Sequence, residues 1–185
     1  KSKFPTEMDS IGIEVKKSDL TFFDQGSYRV GTSTTIVDDN VDRDVAVSFP
    51  LDINKYTDPR KIKKCAKKAL EITNVREPII KEPCVTVQYK KKGEDNIHLD
   101  FPLYAILNCQ YYLARGKATS DNYSWEACDP KGLNDYFDTC FAGDTGNQLR
   151  RIVRYLKKWK KEKYGSSTSS DQRPASIGLT LMAAE

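Results

Sequence analysis

The chain has 185 residues, with 30 Lys and Arg against 26 Asp and Glu for a net charge of +4, and it is 38% hydrophobic and 30% charged. This length and balance suit one soluble compact domain with a single core, and the charge is modest for a dedicated nucleic-acid binder. No run approaches the roughly 20 apolar residues of a membrane helix, and Lys1-Ser2-Lys3-Phe4 lacks the apolar stretch of a secretory signal, so a cytoplasmic protein with no membrane partner is expected.

Gln25-Gly26-Ser27 is the first chemical landmark, a turn whose backbone N–H groups suit phosphate. After fourteen further residues comes Asp42-Arg43-Asp44. In a strand, residues two apart share a face, so Asp42 and Asp44 point together while Val41, Val45 and Val47 serve packing. Two ionised carboxylates so close repel, which raises at least one pKa unless a cation lies between them. Asp58-Pro59 supplies an N-cap and a first-turn proline, and Ile62, Cys65, Ala66, Ala69 and Leu70 recur at helical spacing, with lysines covering the other face.

Val85-Thr86-Val87-Gln88-Tyr89 and Ile97-His98-Leu99-Asp100-Phe101 flank a polar, Gly-containing segment and read as a hairpin. Its second strand can lie beside the Asp42/Asp44 strand, which makes Asp100 the third carboxylate. His98, the only histidine, reads as a strand residue beside the site rather than a catalytic one. Residues 108–116 are ambiguous between strand and loop, and Asp129-Pro130-Lys131-Gly132 marks a turn before a short helix through Phe137.

Leu149, Ile152, Val153, Leu156 and Trp159 are spaced as one apolar helix face, and residues 150–163 add eight basic side chains against the single acid Glu162. Such a run is a solvated face, a grip on β- and γ-phosphates, or, if Arg150, Lys158 and Lys161 form an outward strip, a nucleic-acid contact. Residues 165–172 are Ser-rich and read as a mobile loop, and Ile177 to Met182 opens a further apolar stretch. The five cysteines (Cys65, Cys84, Cys109, Cys128, Cys140) lack any Cys-x-x-Cys pair and read as reduced, mostly buried thiols.

Gln25-Gly26-Ser27-Tyr28, Gly31-Thr32, Asp42-x-Asp44-Val45, Leu99-Asp100 and Arg151-x-x-Arg154-Tyr155-Leu156-Lys157-x-Trp159 together resemble the bacterial DncV-like nucleotidyltransferases related to cyclic GMP-AMP synthase, from about Gln25 to about Leu181. The resemblance implies a polymerase-β-like α/β (α+β) core, its mixed or antiparallel central sheet flanked by helices. It implies synthesis of cyclic di- or trinucleotide second messengers in anti-phage defence. Relatives of this kind also carry a C-terminal helical lobe. The expected organisation is a catalytic core over 1–164 including the basic helix, a flexible loop over 165–175, and the start of a cut-short helical lobe over 176–185.

The expected site follows from both lines of reasoning. Asp42, Asp44 and Asp100 hold two Mg²⁺, for which Mn²⁺ can substitute, and Asp100 is also a candidate for taking the acceptor hydroxyl's proton. Gln25, Gly26 and Ser27 meet the phosphates. By resemblance Lys157 and Ser176 contact the donor triphosphate, with Lys161 as the alternative to Lys157 one turn on. The partners are NTPs and an effector protein that reads the product, without a nucleic-acid activator. Rival readings are a linear oligonucleotide synthase, an adenylyltransferase acting on RNA, protein or a small molecule, and a non-enzymatic nucleic-acid-binding module.

Overall fold

The computed structural model describes residues 3–34, 41–71, 78–91, 94–164 and 172–185, and the side chains of 41, 89–91 and 94–97 lie outside that description. Helix α1 (Lys3–Asp9) precedes strand β1 (Thr21–Gln25), the short helix α2 (Gly26–Val30), strand β2 (Val41–Pro50) and helix α3 (Pro59–Leu70). Six strands follow: β3 (Ile79–Ile80), β4 (Val85–Lys91), β5 (Glu94–Phe101), β6 (Leu103–Leu107), β7 (Gln110–Arg115) and β8 (Ser124–Cys128). Helices α4 (Pro130–Cys140), α5 (Gly143–Tyr164) and α6 (Ser176–Ala184) complete the described chain. Among the described residues no helix is long and apolar enough to cross a membrane.

The strands make one mixed sheet in the order β3-β4-β5-β2-β6-β7-β8, with β1 also paired to β2. β2 is antiparallel to β1 but parallel to β5 along its first half and to β6 along its second. The register continues unbroken from Val41 opposite Ile97 to Pro50 opposite Ile106. Pro102, which has no N–H to give a ladder, marks the break, and its carbonyl accepts the Val47 N–H at 3.0 Å. The residues left ambiguous at 108–116 become β7, entered by a tight turn in which Asn108 (φ 50°) and Cys109 (φ 64°) are both left-handed.

α3 begins as its sequence dictates. Asp58 Oδ1 accepts the Arg60 N–H at 2.9 Å and Pro59 occupies the first turn. Ile62, Cys65 and Ala66 then bury against Phe49, Val85, Ala105 and Ala114 of the sheet and Phe4 and Met8 of α1. The lysines do not all cover the outer face: Lys63 is fully buried. Its ammonium donates to the carbonyls of Lys81, Glu82 and Gly116 at 2.6, 2.6 and 2.9 Å, which ties the turn before β4 to the end of β7. Burial pushes its pKa down to about 8, while the three acceptors favour the charged form.

The apolar face expected on α5 splits in two. Leu149 and Val153 pack with Val30, Phe137, Phe141 and Leu181, whereas Ile152 and Trp159 are 42% and 48% exposed. The difference arises because α2, α4 and α6 meet α5 along one narrow line, which leaves residues a third of a turn away uncovered. The thiols are also less buried than expected: only Cys65 and Cys84 are buried, and Cys109 is exposed. The mobile loop expected at 165–172 lies outside the described residues apart from Gln172.

Candidate active site

Sheet register lines up Gln25, Asp44, Asp100 and Thr86 on four neighbouring strands: Gln25 pairs with Asp44, Asp44 with Asp100 and Asp100 with Thr86. Residues directly opposite on adjacent strands face the same side, so the backbone alone gathers this row. Two residues earlier in β2, Asp42 pairs with His98. Its side chain is 66% exposed, and its carboxylate lies 3.9 Å from His98 Nδ1. The expectation that Asp100 stands beside the Asp42/Asp44 strand is met by the parallel β2–β5 pairing.

Gly26 is the hinge between row and turn. Its φ is +71°, and a Cβ built there would meet Asp44 Oδ2 at 2.0 Å, so only glycine lets the chain fold back over this carboxylate. Asp44 is pushed up to about 6, chiefly by burial and then by the charges of Asp100 and Asp42. Gln25 is held by Tyr104, whose hydroxyl donates to Oε1 at 3.0 Å and leaves the amide N–H groups to act as donors. Ser27 Oγ lies 3.1 Å from Ser33 Oγ.

The opposite wall is basic, and much of it is already engaged. Arg150 Nε donates to the Val30 carbonyl at 2.9 Å, Arg154 Nη1 to that of Gly31 at 2.7 Å, and Lys157 Nζ to the carbonyl and hydroxyl of Thr32 at 3.1 and 3.2 Å. Three cations at helical spacing thus meet successive carbonyls where α2 ends, where helix carbonyls lack partners and cations are favoured. Of the residues considered for an outward strip, Arg150 gives its Nε–H to the end of α2 while its Nη1 donates to Asn147 Oδ1 at 3.3 Å. Lys157 has its pKa lowered, first by burial and then by Lys160. Ser176 Oγ accepts from Lys160 Nζ at 2.9 Å.

Between the walls lies a cleft of about 770 Å³, lined by Gln25, Gly26, Ser27, Asp42, Asp44 and Asp100 on one side and by Lys157, Lys160, Lys161 and Ser176 on the other. Every site residue expected from sequence borders it. Reasoning from sequence missed Lys81, Thr86, Tyr104 and Lys160; only Lys160 carried a local signal, one helical step from Lys157.

The donor chemistry fits a hard divalent cation. Asp44 keeps its proton to an unusually high pH chiefly because it is buried and then because Asp100 and Asp42 are near, and carboxylate oxygens are the ligands Mg²⁺ takes. Among the described residues no group of three or more acidic, histidine or cysteine side chains, Asp42, Asp44 and Asp100 included, is arranged so that it could by itself hold a metal ion. Mg²⁺ is instead usually held by one or two carboxylates together with substrate phosphates.

The family described as cyclic GMP-AMP synthase DncV-like, nucleotidyltransferase domain, matches residues 20–104, which include the turn and all three carboxylates but not α5. Among solved structures, a Vibrio cholerae DncV cyclic AMP-GMP synthase, described as a prokaryotic cGAS homolog, has a TM-score of 0.62 at 24% identity, covering 87% of this chain and 43% of its own. The same enzyme in complex with the linear intermediate 5′ pppA(3′,5′)pG gives 0.63 at 22% identity, over 87% of this chain and 42% of that one. Its apo form gives 0.64 at 20%, over 97% and 50%. At these identities the likeness is one of fold, and the chain spans half or less of the length of these structures.

Proposed function

We propose that the chain, whose residues 20–104 match the DncV-like nucleotidyltransferase domain family, joins NTPs into cyclic di- or trinucleotides, with residues 1–164 as the catalytic core. The observation that carries this reading is the row Gln25–Asp44–Asp100 facing a lysine wall across a cleft of nucleotide size. Asp42, Asp44 and Asp100 are the residues that would hold Mg²⁺ or Mn²⁺, which when bound supplies charge neutralisation on the phosphates and a more acidic attacking hydroxyl. Gln25 and the Gly26-Ser27 turn donate to phosphate oxygens. Lys157, Lys160 and Lys161 face the donor triphosphate as point charges, and Ser176 adds a hydroxyl. Asp100 accepts the proton of the ribose hydroxyl that attacks the α-phosphorus, and pyrophosphate leaves. Repeating the transfer with the hydroxyl at the other end of the product closes the ring.

A non-enzymatic binding module has no need of a carboxylate row aimed at phosphate, and Arg150 and Arg154 each give a guanidinium N–H to a backbone carbonyl at the end of α2. The product serves a cytoplasmic effector protein in defence against phage. The test is to incubate the full-length protein with the four labelled NTPs and Mg²⁺ or Mn²⁺ and to identify phosphatase-resistant products. Cyclic products support the reading; linear products alone convert it to an oligonucleotide synthase, and label transferred only to an added RNA, protein or small molecule converts it to an adenylyltransferase.

A further inference from the structure

Asp100 is the one member of the carboxylate row with partners from two directions. Thr86, opposite it on β4 and fully buried, donates its hydroxyl to Oδ1. Lys81, in the turn between β3 and β4, brings its ammonium within 3.5 Å of that same oxygen. Among the described residues Oδ2 has no such partner, and Asp100 borders the cleft.

Neither neighbour is placed by chance. Behind Thr86 the buried Cys84 sulfur lies 3.6 Å from the threonine hydroxyl, so the hydroxyl cannot turn away into solvent. The turn that presents Lys81 is held from beneath by Lys63, which binds the carbonyls of Lys81 and Glu82. A carboxylate on a free rotor samples many orientations, whereas a hydrogen bond and an ion pair on one oxygen select one of them.

Resting on the nucleotidyltransferase reading above, we infer that Thr86 and Lys81 are positioning residues for the reaction: by taking Oδ1 of Asp100 they aim Oδ2 at the acceptor hydroxyl. The third carboxylate then works through a single oxygen, with a fixed direction of approach. Neither residue lines the cleft. Their effect belongs in turnover rather than in donor affinity.

The test compares the full-length wild type with Thr86→Val, Thr86→Ser, Lys81→Met and Lys81→Arg. For Thr86→Val and Lys81→Met, kcat is expected to fall by about tenfold to a hundredfold, the usual cost of losing an outer partner of a site carboxylate, with KM for the donor NTP little changed. Thr86→Ser and Lys81→Arg should recover most of the loss. Thermal melts check that each variant folds, and a crystal structure of Thr86→Val should show the Asp100 carboxylate rotated from its wild-type position. Wild-type kcat in either folded variant, or an equal loss in Thr86→Val and Thr86→Ser, overturns the inference. A wild type that incorporates no NTP refutes the enzymatic reading itself, and the Asp100 rotamer in the Thr86→Val and Lys81→Met crystals then decides the clamp on its own.

Discussion

Asp44 and Lys157 border the same cleft, yet their positions are fixed by different means. Asp44 has a short side chain on a strand hydrogen-bonded on both sides, so its carboxylate goes where β1 and β5 put the backbone. Lys157 has a long flexible side chain whose end is located by two hydrogen bonds to Thr32. The acidic wall is preorganised by register, whereas the basic wall is preorganised by contacts that also hold α5 to α2. Substituting a carboxylate of the acidic wall should therefore hurt chemistry with little cost in folding, whereas substituting Lys157 should hurt both.

The largest expected effect is on the acidic wall. Asp42→Ala or Asp44→Ala should lower nucleotide incorporation by on the order of a thousandfold or more, matching the several kcal/mol that metal-assisted charge stabilisation supplies. The melting temperature without divalent ions should stay level or rise, because like-charge crowding is relieved. A folded double variant that retains full activity would remove these carboxylates from the chemistry.

Gly26→Ala comes next and tests how tightly the turn is seated. A methyl group there collides with the Asp44 carboxylate and must sit at φ +71°. A loss of about 1–3 kcal/mol in stability is expected from the backbone strain, together with most of the activity. Denaturant melts and incorporation assays measure both, and a stable, active variant would mean that Asp44 is free to swing aside.

On the basic wall, Lys157→Met should cost about 1 kcal/mol of stability through the lost Thr32 bonds and weaken NTP binding far more than nucleoside binding. Lys161→Ala, at an exposed position, should leave stability within about 0.5 kcal/mol while still weakening NTP binding. Equal effects of Lys157→Met on NTP and nucleoside would reduce Lys157 to a structural tie, and the two walls would then differ in function as well as construction.

The smallest effect is a pH trend in the metal-free protein. Asp44 titrates at about 6 in the fold against an ordinary 3.8, so between those values the folded state keeps a proton that the unfolded chain has released. The stability tied to that proton is complete below the ordinary value and is lost as pH rises through about 6. Melts across this window should show the decline, and Asp44→Asn should flatten it.

The same contrast decides what could be read from the chain. Asp42 and Asp44 were legible because a strand repeats every two residues, and Asp100 because its hairpin had apolar, β-branched flanks. That Thr86 would stand opposite Asp100, or that Lys81 would reach it, depends on a register and a turn that no local pattern encodes. Lys63 looked like one of α3's surface lysines, since its burial arises from carbonyls contributed by the turn before β4 and the end of β7. On α5 the apolar spacing was real, but which part of it is covered depends on how narrowly α2, α4 and α6 approach, and Ile152 and Trp159 fall outside that line.

The row across β1, β2, β5 and β4 also makes activity a gauge of correct assembly. A slip of one residue in any of these strands sends its member to the far side of the sheet. No misregistered molecule can then retain a fraction of the activity in proportion to its helix content. The decisive pairing, β2 with β5, joins segments distant in the chain, and non-local contacts of that kind form slowly. During refolding, nucleotidyl transfer should therefore return later than the helical circular-dichroism signal, and its amplitude should count the molecules whose strands have met in step.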